Sequence, residues 1–208
     1  MRPLEHRVPR GQKRREEIAA IAEQIFLELG FAETTMQIVA TRAGASKETL
    51  YRHFGCKAEL FSEVMNARCQ RFMTGAAEVC AHENDPATVL AAIGSALLDL
   101  ILSPNGLAMY RIVVTETVRT PELGHIFFNL GPNRLLAQVS DYLKSMTAAG
   151  KLNCPQPVLA AKLFLGAVSS SHQMRELAIP GVEIIGEEEK KMYVDEAVAM
   201  FLARYGRP

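Results

Sequence analysis

The sequence predicts an all-α protein with a three-helix, helix-turn-helix domain at its N-terminus and a larger helical domain after it. Apolar residues recur at i, i+3, i+4 and i+7 spacing along most of the chain, which is the pattern of amphipathic helices. Glycine and proline residues separate these stripes at intervals of helix length. The one strand-like run, residues 182–185, is too short to seed a sheet.

Four helices are predicted before residue 80. Gly30 is expected to end the first helix as a C-terminal cap. Thr34, with Gln37 three residues later, is a possible capping box for a short second helix that ends near Gly44. Ser46 is a suitable N-cap for a third short helix, and a fourth begins near Lys57. The apolar stripe of the first helix is Ile18, Ile21, Ala22, Ile25, Phe26 and Leu29.

Proline and glycine also divide the remaining chain into helices. Asp85 and Pro86 form an N-cap followed by a proline at the first helical position. One helix is expected to begin after residue 103 and to end at about residue 119, and another is expected to begin after residue 120. The latter is long, extends toward residue 148 and is kinked at Gly131 and Pro132. Pro155 or Pro157 opens the next helix, and a loop at about 179–186 precedes the last one.

Charge is balanced overall but unevenly distributed. The chain has 208 residues, with 23 Lys and Arg against 23 Asp and Glu, which excludes a uniformly basic nucleic-acid-binding protein. Residues 1–72 nevertheless carry a net charge of +3, and residues 73–208 carry −3. This indicates either an anionic partner at the N-terminal end or a solvated tail. The first 15 residues contain one acid, Glu5, and six bases: Arg2, Arg7, Arg10, Lys13, Arg14 and Arg15.

Several classes of protein are excluded by missing patterns. No apolar run reaches the roughly 18–20 residues of a membrane-spanning helix, and no secretory signal precedes the four cysteines, so a cytoplasmic protein with reduced thiols and no membrane partner is expected. The spacing of Cys80, His82, Glu83 and Asp85 fits no standard zinc site, so no metal is expected. Neither a cofactor nor an enzymatic activity is expected, because GxSxG, GxxxxGK[ST], HExxH and GxGxxG motifs are absent.

Residues 34–57, TTMQIVATRAGASKETLYRHFGCK, have the pattern of a helix-turn-helix. Gly44 suits a turn that needs the left-handed conformation, and Ala40 is small where two helices approach closely. With Val39, Ala43 and Leu50 facing inward, the second helix projects a polar face that fits the DNA major groove. That face consists of Lys47, Glu48, Tyr51 and Arg52.

These residues resemble the DNA-binding domain of the TetR family of transcriptional regulators. The resemblance rests on Gly30-Phe31, Thr34-Thr35, Ala43-Gly44, Ser46-Lys47, residues 49–54 (TLYRHF), Lys57 and Leu60-Phe61. It predicts a basic arm over residues 1–11, a DNA-binding domain over 12–72 with its helix-turn-helix at about 35–54, and a regulatory and dimerisation domain over 73–208. Residues 111–161 loosely resemble an AefR-like branch.

The resemblance assigns DNA contacts residue by residue. Base contacts are predicted for Gln37, Lys47 and Tyr51. Arg52 could contact either a base or a phosphate, and the sequence leaves this open. Cys56 departs from the family pattern, which has Ser, Asn or Asp there; a poorer cap is expected, and a redox role is conceivable. Phosphate contacts are predicted for Thr35, Ser46, Thr49, Tyr51, Arg52, His53 and Lys57.

The resemblance also implies an effector chamber and a homodimer. The effector is predicted to be a small apolar or amphipathic molecule, on the basis of the aromatic and Met content of residues 109–146. The predicted chamber residues are Met109, Tyr110, Arg111, Glu116, His125, Phe128 and Asn129. Small residues and an apolar stripe in the last two helices predict a dimer interface that contains Ala161, Gly166, Val194, Val198, Phe201 and Leu202.

The predicted function is therefore that of a sequence-specific regulator of transcription, acting as a ligand-responsive repressor on a palindromic operator. Two alternatives stay open at this point. One is a helical enzyme or small-molecule carrier with a helix-turn-helix-like head, which turnover without DNA binding would favour. The other is an architectural DNA binder without sequence preference, which predicts equal affinity for any duplex at fixed salt.

Overall fold

The computed structural model describes residues 10–83, 85–179 and 185–207, and these form ten helices. Within the described ranges the extended structure is limited to an isolated bridge between Leu152 and Gly206. The all-α prediction is confirmed. The helices are α1 (Arg10–Glu33), α2 (Met36–Arg42), α3 (Lys47–Phe54), α4 (Lys57–His82), α5 (Pro86–Leu102), α6 (Pro104–Glu116), α7 (Glu122–Leu130), α8 (Pro132–Ala148), α9 (Pro157–Ala178) and α10 (Glu187–Tyr205).

Contacts within the chain define two compact units. The first, here called the head, consists of residues 10–68 together with residues 112–127. The second, here called the body, consists of residues 69–111 and 128–207. The chain therefore passes between the units three times, within α4, α6 and α7. No pattern in the sequence indicated that residues 112–127 pack with the N-terminal helices.

Most predicted helix ends in the head are confirmed, with one correction. Gly30 interrupts α1 with φ 77°, and Gly44 forms the turn with φ 57°. The Ser46 side chain accepts a hydrogen bond from the Thr49 amide, as expected of an N-cap. The N-cap of α2, however, is Thr35 rather than Thr34. Thr34 is fully buried, and its hydroxyl donates to the Gly30 carbonyl at 2.6 Å, because that carbonyl lies at a break in α1.

Most helix ends of the body also lie near the capping, proline and glycine residues that predicted them. Asp85 caps α5, with Pro86 at its first position. Gly131 and Pro132 do more than kink a long helix, since they separate α7 from α8. Helix α6 ends at Glu116, three residues earlier than predicted. The predicted loop at 179–186 lies mostly outside the described residues. Residues 1–9 of the predicted arm also lie outside them, and the last two residues of that arm, Arg10 and Gly11, belong to α1.

Each unit has its own core. In the head, Phe26 packs face to face with Phe31 and edge-on against Phe61, with ring centroids 5.7 and 5.4 Å apart. Leu50 of α3 and Val39 of α2 are fully buried, which fixes the orientation of the helix-turn-helix. In the body, α5, α8, α9 and α10 bury a continuous apolar cluster that includes Ile93.

The predicted dimer interface requires correction. Ala161, Val194, Val198 and Phe201 are at most 6% exposed and belong to the core of the body, where the Phe201 ring lies 5.8 Å from Phe164. Gly166 and Leu202 are half-buried. The stripe that looked like an intermolecular interface is therefore filled from within the same chain. The large apolar side chains exposed on α9 and α10 are different ones: Val158, Leu159, Leu163, Met174, Met192 and Met200.

Two further properties concern the described residues only. No single helix is long and apolar enough to cross a membrane; α5 and α6 pass that test only as a pair, and they are bent by 69° relative to each other. Across the described ranges, no group of three or more His, Cys, Asp or Glu residues has an arrangement that could hold a metal ion.

Candidate nucleic-acid interface

Helix α3 presents a polar face to solvent. Leu50 and Phe54 are buried, so the residues between them on the opposite side of this eight-residue helix point outward. Lys47 and Arg52 are exposed, and Tyr51 is 45% exposed. The Lys47 ammonium lies 5.9 Å from the centroid of the Tyr51 ring, so a cation and a phenol hydroxyl lie side by side. Such a face can contact the acceptors of guanine or the phosphate oxygens.

The predicted hydroxyl contacts lie at the two N-caps. The Thr35 hydroxyl oxygen accepts from the Ile38 amide at 3.2 Å, and the Ser46 oxygen accepts from the Thr49 amide at 3.0 Å. The Ser46 and Thr49 hydroxyls are 2.8 Å apart. All three residues therefore stand at helix N-termini, where amide groups and the helix dipole favour an anion.

Gln37 is exposed on α2, which contacts α3, the recognition helix of the predicted helix-turn-helix. Its Nε2 lies 3.5 Å from the Thr41 hydroxyl, one turn further along the same helix. That hydroxyl also donates to the Gln37 carbonyl at 3.0 Å. The amide is thus held against its own helix by a weak contact, which it can exchange for a base.

His53 is half-buried near the end of α3. Its ring centroid lies 6.0 Å from that of Phe54. Its carbonyl oxygen accepts a hydrogen bond from Arg15 Nη1 at 2.5 Å. The backbone of His53 therefore fastens α3 to α1, a role that the sequence did not indicate.

Lys57 is the largest departure from the predicted site. Its ammonium donates to the carbonyl oxygens of Phe31 and Ala32, at 2.6 and 3.2 Å, and lies 4.3 Å from the centroid of the Phe31 ring. Burial lowers the pKa of Lys57, while the carboxylates of Glu116 and Glu33 act in the opposite direction. The cation assigned to a phosphate is therefore engaged with the C-terminal end of α1.

Two arginines assigned to the basic end of the chain have the same kind of role. Arg14 Nη2 donates to the carbonyls of Ala43 and Gly44, at 2.6 and 3.3 Å, after the end of α2. Arg15 pairs with Glu63 and lies 4.9 Å from the centroid of the Phe54 ring, in addition to its bond to α3. Each of α1, α2 and α3 thus ends on a cation from another helix. Cations near helix C-termini are favourable, but sequence does not reveal which helix they will meet.

Cys56 occupies the junction between α3 and α4 and is exposed. Its amide donates to the Phe54 carbonyl at 2.5 Å, and its carbonyl accepts from the Leu60 amide at 3.1 Å. The backbone therefore makes the turn and begins α4 through main-chain hydrogen bonds.

The predicted chamber residues do not form one enclosed set. Met109 is buried, Tyr110 and Arg111 are half-buried, and these three belong to the body. Glu116 and His125 belong to the head, and His125 is exposed. Phe128 and Asn129 are exposed residues of the body. Arg111 Nη2 donates to the Glu176 carbonyl at 2.6 Å, which connects α6 to α9.

Comparison with known families covers both parts of the chain. Residues 18–64 match the N-terminal model described as bacterial regulatory proteins, tetR family. Residues 88–207 match the C-terminal domain of AefR-like transcriptional repressors. The second match alone spans more than half of the chain.

Individual relatives agree with these matches. The transcriptional activator FasR of Mycolicibacterium smegmatis is 31% identical over 96 residues, which are 46% of this chain and 43% of that protein. A crystal structure of a TetR-family regulator from Mesorhizobium loti is 26% identical, with a TM-score of 0.86 over 96% of this chain and 100% of that one. The flavonoid-responsive regulator FrrA is also 26% identical, with a TM-score of 0.75 over 94% and 98% of the two chains.

Proposed function

The chain belongs to the TetR family of bacterial transcriptional regulators, and on that premise we propose that it is a ligand-responsive repressor that binds a palindromic operator as a homodimer in the cytoplasm. The observation that carries the proposal is the exposed face of α3, where Lys47, Tyr51 and Arg52 project from a helix whose other side is buried. A helix of this kind fits the major groove, and its side chains read base edges.

Regulation by repression is favoured by the C-terminal match, which is to repressors, although one relative that matches over 96 residues is an activator. A small-molecule effector is favoured by FrrA, which responds to flavonoids. An apolar or amphipathic effector is also compatible with the four aromatic residues and two methionines of residues 109–146. For the homodimer, the apolar side chains exposed on α9 and α10 offer a self-complementary face.

The three passages of the chain between head and body suggest how an effector could act. Helix α4 begins at Lys57, next to the recognition helix, and continues into the body as far as His82. Helix α6 ends at Glu116, whose carboxylate acts on Lys57. An effector that displaces either helix alters the surroundings of Lys57, and the coupling expected between two such sites is about 1–3 kcal/mol.

DNA binding is tested by selecting binding sites from a random duplex library and footprinting the protein on the selected sequence. A protected palindrome with half-sites about one or two helical turns apart is expected. With about 6–10 phosphate contacts, affinity should fall by roughly 10³–10⁵-fold between 50 and 200 mM salt. Equal affinity for every duplex would favour an architectural protein instead, and a flat salt response would contradict the electrostatic contacts.

Repression is tested separately with a reporter gene placed downstream of the selected operator. Lower reporter expression in the presence of the protein is expected, and operator release by an effector should restore it. Higher expression would identify an activator. By thermodynamic reciprocity, bound operator must weaken effector binding by the same factor as the effector weakens operator binding.

A further inference from the structure

A groove of about 450 Å³ runs between α4 and α8 within the body. This volume is within the range of about 300–1,000 Å³ that is typical of small-molecule sites. Arg134 and Gln138, one turn apart on α8, form one wall. The other wall is formed by α4 residues at helical spacing: Gln70, Met73, Thr74, Ala77, Glu78, Ala81 and His82.

The two ends of the groove differ in charge. At one end, Arg134 Nη2 donates to the Gln70 side-chain carbonyl at 3.0 Å, so the guanidinium lies across the groove. At the other end lie Glu78 and His82; the His82 Nδ1 lies 2.9 Å from the Glu78 carbonyl oxygen. Gln70 and Glu78 are eight residues apart on one helix, which corresponds to about 12 Å. The floor between them is apolar, with Met73 buried.

Gln138 provides a second donor near the positive end. Its Nε2 is buried and has no hydrogen-bond partner among the described residues. A buried amide without a partner is costly, and in natural proteins such groups are usually satisfied by protein, water or ligand. Residues four apart on a helix have Cβ atoms about 5–6 Å apart, so Arg134 and Gln138 can both reach one small acceptor group.

We propose that this groove binds an amphipathic carboxylate. One carboxylate group would accept from Arg134 and Gln138, because guanidinium and carboxylate form strong paired hydrogen bonds. The apolar part of the ligand would lie along Met73 and Ala77. Glu78 lies eight residues, or about 12 Å, from Gln70 along α4, which places its charge at the opposite end of the groove from the Arg134–Gln70 hydrogen bond. This inference rests on the proposed ligand-responsive function, and the residues that line the groove are different from the predicted chamber residues.

The test is isothermal titration calorimetry of the full chain with octanoate, 1-naphthoate and the neutral 1-octanol. The wild-type protein is expected to bind at least one carboxylate about tenfold more tightly than octanol. Arg134→Met should remove this preference, and Gln138→Leu should weaken carboxylate binding several-fold. Ala77→Phe should weaken binding of all three compounds by filling the groove. Lys144→Met is the matched control, because Lys144 is an exposed cation on the same helix that pairs with Asp141.

Two results would overturn the proposal. One is carboxylate binding that is equally tight in Arg134→Met and wild type. The other is an equal loss in Lys144→Met, which would indicate general attraction to positive charge. Operator binding without any ligand is measured in parallel on the same proteins. A lack of operator binding would contradict the proposed function, whereas the calorimetric comparison alone tests whether the groove binds a carboxylate.

Discussion

The Lys57 ammonium lies 2.6 Å from the carbonyl oxygen of Phe31 and 4.3 Å from the centroid of the same residue's ring. One side chain thus caps the end of α1 and covers an aromatic ring of the head core. Lys57 is also the first residue of α4, directly after the junction that follows the recognition helix. Any contact between Lys57 and DNA phosphate must therefore compete with, or be added to, this internal role.

Replacing Lys57 should lower both stability and DNA affinity. Lys57→Met retains the aliphatic stem but removes two charge-assisted hydrogen bonds, so the free energy of unfolding is expected to fall by about 1–2 kcal/mol. Operator affinity should fall for all sequences alike. Urea denaturation and binding titrations on specific and random duplexes provide the measurements. Unchanged stability with reduced affinity would indicate that the phosphate contact is the only role of Lys57.

Arg15 should contribute more to stability than its exposed neighbour Lys13. Arg15→Met removes the bond to the His53 carbonyl, the ion pair with Glu63 and the contact with the Phe54 ring. We expect a loss of about 1–3 kcal/mol in urea denaturation. Lys13→Met is the matched control on the same helix and should leave stability within about 0.5 kcal/mol. Similar losses in both variants would show that the interhelical contacts of Arg15 contribute little.

Lys47 and Tyr51 should differ in how they affect binding. Lys47→Ala is expected to relax the preference at one base pair of each half-site, at a cost of about 1–3 kcal/mol for the preferred base. Tyr51→Phe removes a hydroxyl while keeping the ring beside Lys47, so it should weaken binding to all duplexes to a similar extent. Affinities for a panel of single-base operator variants at fixed salt separate the two effects. A Lys47→Ala protein with full base preference would disprove the base contact.

The dimer face proposed on α9 and α10 predicts different outcomes for two charge substitutions. Leu163 on α9 is 60% exposed, so Leu163→Glu should give a folded monomer with weak operator binding. Phe201 is buried between Phe164 and Tyr205, so Phe201→Glu should unfold the body rather than separate two folded copies. Analytical ultracentrifugation and circular dichroism distinguish these outcomes. A Leu163→Glu protein that remains dimeric would place the interface elsewhere.

The N-cap of α5 should make stability depend on pH in the acid range. Hydrogen bonds from the Thr88 side chain and amide lower the pKa of Asp85 below its ordinary value of 3.8. A lowered carboxylate pKa stabilises the fold above about pH 3.8, and this contribution disappears as pH falls through the folded-state pKa. Asp85→Ala should therefore cost about 0.5–1 kcal/mol at pH 7 and less below pH 4.

Asp85→Asn provides the control for that measurement. Asparagine keeps a side-chain acceptor for the first turn of α5 but does not titrate. Its stability difference from Asp85→Ala should therefore stay nearly constant between pH 3 and pH 7. A pH-independent difference between the wild type and Asp85→Ala would contradict the role of the charged cap.

Local signals predicted the fold better than they predicted the site. Gly44, Ser46 and Asp85 set helix ends through their own backbone preferences and nearby amides, so their roles could be read from adjacent residues. The capping partners of Arg14 and Lys57 lie about 25–30 residues away. The same limit explains the error at Phe201, because an apolar stripe shows that a helix face is buried but not whether it is buried by the same chain or by a partner.

The composition of the head limits how it can be recombined with other proteins. Residues 112–127 belong to the head and carry Ile112, Val113 and Leu123, all of which are buried. A gene fusion that joins residues 10–68 to a foreign sensor would omit these side chains. A chimaeric regulator should therefore keep the 112–127 segment and be spliced at three junctions, in α4, α6 and α7. The DNA-binding part looks like one continuous segment in the sequence, but the compact unit that a chimaera has to transfer consists of two separate segments of the chain.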